Sequence, residues 1–489
     1  MRKLIISLAL VLGLGLGFTS GAQDKVVKTV MELGRTDNRT MEHNDFLSNV
    51  IGGRIVGSHN LEDAEKWVAS RFKEWGLEVE VQEVGQINVG FSRGPWSGRM
   101  IGDQSLELHF GTPSYTAGTR GVQKGHVLLE PKTQRAFDSC KGALKGAWVL
   151  IDGKTNGMAL DSTPAADSTR VAKREAGEDV IAPFYREMVE AGVLGFIRSG
   201  DLPLQILYDR ANCYNITMET LPKVCDIILD SRQFDLIKSK VQAKDSFQLE
   251  FNIRNNFFEG PVKYHNIIGK IKGSKYPDEY VMLGGHLDSY DVATGSVDDG
   301  NGVALTMEAA RLLAAAGAKP KRSILFCIWT GEEYGLLGSR FFVENKSVPL
   351  EKISNYFNRD GGPLASTALN VPEAMYEDFV KVAAPILDYD PEMPVSVNKR
   401  KTEPQPRPTK AGGSDHAYFA MNGVPTISFS ETDPLGYNFN YRTIWHTDMD
   451  RSNQVIPEYM NHSTVVTAVV AYGLANLDHL LSREGLYSN

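Results

Sequence analysis

Apolar positions recur along this chain in two periods, and the change between them divides it. Over residues 60–75, Ala64, Trp67, Val68, Phe72 and Trp75 fall on one face of a 3.6-residue spiral. That spacing predicts an amphipathic helix, which Gly76 stops. Residues 77–84 then alternate apolar and polar, as a half-buried strand does. From Asn266 onward, short apolar runs alternate with helical patterns. Strands are expected at 266–271, 280–283, 323–329, 353–357 and 425–429, and helices at 303–315, 336–344, 373–387 and 463–481. This alternation predicts an α/β fold, a mostly parallel mixed sheet flanked by helices. Ligands of such sheets sit at the carboxyl ends of the strands.

Residues 109–255 have another texture. Short apolar runs at 147–151, 193–197 and 226–229 and a helical stretch at 184–190 surround a polar, loop-like stretch at 152–179. The text on either side belongs to one α/β pattern, so the segment reads as an inserted β-rich domain. With 489 residues, the chain is too long for one core. The expected division is a leader at 1–22, a first part of the main domain at 23–108, the insertion at 109–255 and a second part at 256–489. Residues 399–408 are basic and proline-rich and read as an exposed loop.

The leader rests on Arg2 and Lys3, an apolar run over 4–18, and Ser20 and Ala22 at cleavage positions −3 and −1. This is the pattern of a secretory signal peptide, so the mature protein is expected to be exported, periplasmic or extracellular. No later run is long and apolar enough to span a bilayer. A net charge of −8 leaves no footprint for nucleic acid or an anionic membrane. Four cysteines remain. Cys327 reads as a buried strand residue, and Cys213 and Cys225 are close enough in sequence for a bridge, which export permits without requiring.

The candidate chemistry collects behind the predicted strands. Gly284-Gly285-His286-Leu287-Asp288-Ser289 follows the first, and Val297-Asp298-Asp299-Gly300-Asn301-Gly302 opens a helix. Thr330-Gly331-Glu332-Glu333 and Asn358-Arg359-Asp360-Gly361-Gly362 follow two more strands, and Trp445-His446-Thr447-Asp448-Met449-Asp450 comes late. Each piece alone has an ordinary reading: a Glu-Glu pair is usually a solvated loop and Asp-Gly a turn. Five pieces in order, each at a strand end or in a glycine-rich loop, point instead to divalent metals. Imidazole with carboxylate suits zinc, and cobalt or manganese would also be accepted. A shared carboxylate lets two cations sit about 3.5–4 Å apart.

This set of pieces resembles the dinuclear zinc exopeptidases, the family of bacterial aminopeptidases and glutamate carboxypeptidase-like enzymes. It is most similar to the carboxypeptidase Q branch, from about Gly52 to the C-terminus. The resemblance implies a zinc-peptidase fold with an inserted protease-associated domain and two zinc ions. It implies His286 and Asp360 on one metal, Glu333 and His446 on the other, Asp298 bridging and Glu332 as general base. Asp298 rather than Asp299 is the bridge because Gly300 and Gly302 match the family's Asp-x-Gly-x-Gly pattern. Asp288 is implied to hydrogen-bond His286 from behind, and a cis peptide is implied after Asp298. Asp360-Gly361-Gly362 departs from the family's usual bulky apolar residue after the aspartate.

The expected activity is hydrolysis of short peptides, as an aminopeptidase or dipeptidase. Ser414-Asp415-His416 resembles the aminopeptidase members and would place His416 near the pocket. Tyr437, Phe439 and Tyr441 are candidates for lining a pocket or packing a loop. A carboxypeptidase would need a cationic clamp, for which only Arg407, Arg442 and basic-loop residues such as Lys399, Arg400 and Lys401 offer themselves. Two rivals share the fold: a non-catalytic transferrin-receptor-like binding protein, which would lack ligands, and a one-zinc glutaminyl cyclase. The partner expected is a short peptide, with neither nucleic acid nor membrane; a homodimer is compatible with the reading.

Overall fold

The computed structural model describes residues 21–103 and 105–488. The leader pattern lies outside these residues except for Gly21 and Ala22. The first amphipathic helix is His59–Glu74, capped by Ser58, whose hydroxyl accepts from the Leu61 N–H at 3.1 Å. Its face of Leu61, Ala64, Val68 and Phe72 is buried, and Gly76 at φ 83° ends it.

The strand expected at 77–84 is instead 24 residues long, Glu78–Ile101. It pairs antiparallel along its length with Gln248–Ile271. Register shifts at Glu83/Gly85, Ile87/Val89 and Arg93/Trp96 reset which side chains face inward. Each shift breaks the period-two signal, which is why the pattern faded after residue 84.

Among the described residues the main sheet has seven strands. Ile353–Asn358, Tyr276–His286 and Arg322–Trp329 lie side by side and parallel, and the long antiparallel ribbon follows. The parallel strands are buried through their central stretches because both faces are covered. Val281, Leu283, Ile324, Phe326 and Ile328 join the core beneath the helices Asn301–Ala315 and Pro457–Ala475. The alternate residues Met282, Leu325, Cys327 and Trp329 face Phe342 of helix Leu337–Glu344 and Phe419. The segment expected as a strand at 425–429 enters a three-stranded sheet only at Phe429–Thr432. Before that it is tied to its neighbour through the Asn355 side chain, which donates to the Ile427 carbonyl and accepts from its N–H.

Residues within the expected insertion build a second sheet. Val127–Leu129, Trp148–Lys154, Gly195–Gly200 and Cys225–Asp230 are parallel, and Phe110–Gly111 adds an antiparallel edge. Its two faces carry separate cores, one with Trp148, Leu150 and Ile197, the other with Val149, Phe184 and Phe196. Met100, Leu249, Phe251 and Ile253 of the long ribbon pack into the first of these. That core therefore draws on residues before 109. The polar stretch 152–179 is no plain loop, for it contains the helix Pro164–Glu175. Thr163 caps it, accepting from the Ala166 N–H, with Pro164 in the first turn, a start signal present in the sequence. All four cysteines are free; Cys213 and Cys225 sit in different cores. No described helix is long and apolar enough to cross a membrane.

Candidate metal centre

The register of the three parallel strands brings the chemistry to one edge. Gly284 lies opposite both Cys327 and Asn358, so the strands ending at His286, Trp329 and Asn358 leave the sheet together. The loops that follow carry Glu332, Glu333 and Asp360 across a small gap. Close approach decides two glycines: a Cβ at Gly285 or Gly302 would strike the Asp299 carboxylate, and at Gly302 also the Arg359 carbonyl.

Asp298 stands at the middle of the cluster. Its Oδ1 is 3.2 Å from His286 Nε2 and its Oδ2 is 3.5 Å from His446 Nε2. Asp360 Oδ1 is 3.8 Å from His286 Nε2, and Glu333 Oε2 is 3.0 Å from His446 Nε2. The atoms form two triads of potential metal donors, His286-Asp298-Asp360 and Asp298-Glu333-His446, which share Asp298. Asp298 Oδ2 and Glu333 Oε1 are buried without a hydrogen-bond partner. Orphaned carboxylate oxygens beside imidazole nitrogens fit a pair of zinc ions, because cations would satisfy them. Glu332 Oε2 lies 4.0 Å from His286 Nε2, outside both triads and facing the gap. The Asp298–Asp299 peptide is cis.

Asp288 is placed differently from expectation. The His286 Nδ1–H donates to the Asp288 backbone carbonyl at 2.8 Å, while the carboxylate stays 3.8 Å away. A carbonyl can only accept, so it fixes the tautomer and leaves Nε2 toward the acids. The Asp288 carboxylate turns to the next loop and accepts from the N–H groups of Glu332 and Glu333 at 3.1 and 3.2 Å. It orients Glu332, the expected base, and Glu333, a ligand candidate, rather than the histidine.

Sequence reading missed several supporting groups. Arg54 is fully buried and donates to the carbonyls of Leu287, Leu47, Gly52, Thr294 and Gly295, gathering the loop that leads to Asp298. Asp450 accepts from the N–H groups of Val297 and Asp298 at 2.7 and 3.2 Å. Asp299 accepts from those of His286 and Gly302. A buried arginine four residues before a helix cap carries no local signature; Asp450, close after His446, was the nearest to a visible signal.

Crowded acids shift one another. Burial pushes Glu332 well above the ordinary carboxylate range, and Glu333 and Asp360 add to it. Burial and then Asp298 do the same to Glu333. Burial opposes charge on His286, but Asp298, Glu332 and Asp360 outweigh it and raise its pKa. Burial works against charge on Asp298, yet His286, His446 and the Tyr441 hydroxyl hold its pKa below normal. Burial lowers His446. Asp415 and Asp450 are each pushed up to about 7, chiefly by burial.

A cavity of about 340 Å³ opens over the cluster, lined by Asp298, Glu332, Glu333, Asp360, His446, Tyr441, Trp445 and three glycines. Of the aromatic candidates, Tyr441 lines it, Phe439 packs against Gly362, and Tyr437 is exposed and bonds Glu458. Ser414 accepts from the Asn358 amide and hydrogen-bonds Asp360. Asp415 accepts from Ser339 behind it, and His416 is in neither triad nor the lining. Lys399 pairs with Glu373, and Arg400 donates to the Leu486 carbonyl. No lysine or arginine lines the cavity among the described residues.

The comparisons with known proteins fall on the same region. The family model described as Peptidase family M28 matches residues 266–471. The chain is 25% identical to carboxypeptidase Q of Rattus norvegicus, over 94% of this chain and 91% of that protein. It is 35% identical to a glutamate carboxypeptidase 2 homolog of Caenorhabditis elegans, over 38% of this chain and 25% of that one. The crystal structure of a peptidase M28 precursor from Shewanella amazonensis superposes with TM-score 0.59 at 20% identity, covering 94% and 98% of the two chains. BSAP, a zinc aminopeptidase from Bacillus subtilis, gives 0.54 at 19% identity, covering 92% and 97%.

Proposed function

Because the chain is a member of peptidase family M28 and a zinc metallo-exopeptidase, we propose that it removes residues from short peptides at a two-zinc site, as an aminopeptidase or dipeptidase. The observation that carries this reading is Asp298, with one oxygen toward each histidine and one further carboxylate beside each. His286 and Asp360 would hold one ion, Glu333 and His446 the other, and Asp298 both. When bound, the ions polarise the scissile carbonyl and acidify a water. Glu332 takes the proton of the attacking water and passes it to the leaving amine. Asp288 holds the Glu332 and Glu333 amides, and so aims both side chains. Trp445 and Tyr441 line the cavity beside the acids.

Recognition of a free α-amine is supported by the lining. Glu332 and Asp360 offer carboxylate oxygens to an ammonium, while among the described residues no lysine or arginine lines the cavity to meet a terminal carboxylate. Purified, zinc-loaded protein is given an N-acetylated dipeptide and a C-amidated one. Cleavage of the amidated peptide alone is expected. Cleavage of the acetylated one alone replaces the amine reading with a carboxypeptidase. The insertion is proposed to limit substrate length, so tripeptides should be cleaved well and a denatured protein poorly; efficient internal cleavage would end that idea. Export is proposed from the leader pattern, and cell fractionation tests it.

A further inference from the structure

The two halves of the centre are held by different parts of the chain. His286 and Asp360 leave paired strands, and the Arg359 N–H donates to the Gly284 carbonyl at 2.7 Å beside them. His446 lies in an irregular loop, with its backbone in the left-handed region at φ 58°. A non-glycine residue keeps that conformation only where its surroundings enforce it.

After His446 the loop is tied to the main domain through Asp450, which accepts from the Val297 and Asp298 N–H groups; at His446 to Asp448 the enforcement comes from the inserted segment. The Ile206 N–H donates to the His446 carbonyl at 3.0 Å, and Gln205 forms an antiparallel bridge with Thr447. The Leu204 N–H donates to Asp448 Oδ1 at 3.0 Å, and the Asp448 N–H donates back to the Leu204 carbonyl. His109, on the insertion's edge, closes onto Asp448 Oδ2 at 2.6 Å. The same segment reaches Glu333. The Tyr208 ring stacks on Tyr334, the next residue, with centroids 4.2 Å apart, and the Tyr214 hydroxyl donates to the Tyr334 carbonyl.

We propose that the insertion is a clamp for the Glu333–His446 half of the centre, with His109 and Tyr208 as positioning residues that touch no ligand themselves. The sheet edge, with Asp299 on the His286 N–H and Ser414 on Asp360, sets the His286–Asp360 half. A module packed against the His446 loop thereby sets the affinity of one metal and not the other. The proposal rests on the two-zinc reading above, and its test separates the two.

Zinc is titrated into wild type and the double variant His109→Ala/Tyr208→Leu in competition with a chromophoric chelator. Hydrogen exchange is followed in both proteins without metal. One zinc should weaken about tenfold or more, the other by less than about twofold. Without metal, amides of 444–450 should exchange faster in the variant and those of 283–288 should not. His109→Gln, whose amide still donates to Asp448, should keep wild-type affinity. Unchanged zinc binding with unchanged exchange, or equal weakening of both ions, overturns the clamp. Fewer than two zinc ions on wild type overturns the two-zinc reading, and the metal-free exchange still decides the clamp. If the double variant does not fold, His109→Ala alone, one half-exposed side chain, carries the same readouts.

Discussion

His286 and His446 face the same aspartate from opposite sides, yet they come to it by different routes. His286 ends a strand whose neighbours on both sides are parallel and buried. Its ring is bonded to Asp288, 2 positions on, and its N–H to Asp299, 13 positions on. His446 ends nothing. Its loop is braced by residues more than two hundred positions away, at 204–206, and by His109. One half of a symmetric-looking site is thus a local product of a sheet edge, and the other a product of domain packing. The lesson is that equal donors need not be equally held.

The largest effect should come from a change that spares both halves. Glu332→Gln is expected to lower kcat about 10²–10⁴-fold with both zinc ions retained. Loss of a metal together with the rate would show that Glu332 and Glu333 have been given each other's roles. Kinetics and metal analysis on one sample decide it.

Arg54→Met should strike the centre from beneath. It strands the five carbonyls that the guanidinium serves and removes a buried positive charge near Asp450, Asp288, Asp299 and Asp298. A loss of about 3 kcal/mol or more is expected in urea unfolding of the metal-free protein. A neutral result would mean that the loop before Asp298 holds its own shape.

Asp288→Ala should sharpen the contrast. Its carboxylate serves Glu332 and Glu333, while the His286 ring keeps its bond to the backbone carbonyl. Zinc affinity should fall about 10–100-fold on the Glu333 side and little on the His286 side. Competition titrations that resolve two binding steps check this, and a larger loss at His286 would return the carboxylate to that ring.

The smallest effect is one of pH on the metal-free protein. Asp415 and Asp450 rise from 3.8 to about 7 on folding, chiefly through burial. Their folded forms hold protons that the unfolded chain releases, so their contribution is full below pH 3.8 and lost as pH climbs toward about 7. Melting of metal-free protein should therefore fall in temperature between pH 5 and 8. Zinc should flatten that slope, since cations favour the ionised acids. A metal-free melting temperature that rises over this range would refute the assignment.

Much of this was written locally. Short apolar runs marked strands at 280–283, 323–329 and 353–357, inside the observed Tyr276–His286, Arg322–Trp329 and Ile353–Asn358, and the acids behind them marked the edge where the cavity lies. The Thr163-Pro164 start of a helix was equally legible and was passed over as polar loop. The 24-residue ribbon was not legible past residue 84, because three register shifts scramble its alternation.

The sequence by itself determined the α/β order, the glycine-lined strand ends and the donor types, because periodicity and steric fit act over a few residues. Only the tertiary structure decided that Asp288 serves the glutamates and that Arg54 lies beneath the acids. It alone joined His109 to Asp448 across 339 positions. The first two depend on how loops from separate strands pack together and the last on where the bulged ribbon places the inserted segment, and no local run of residues encodes either.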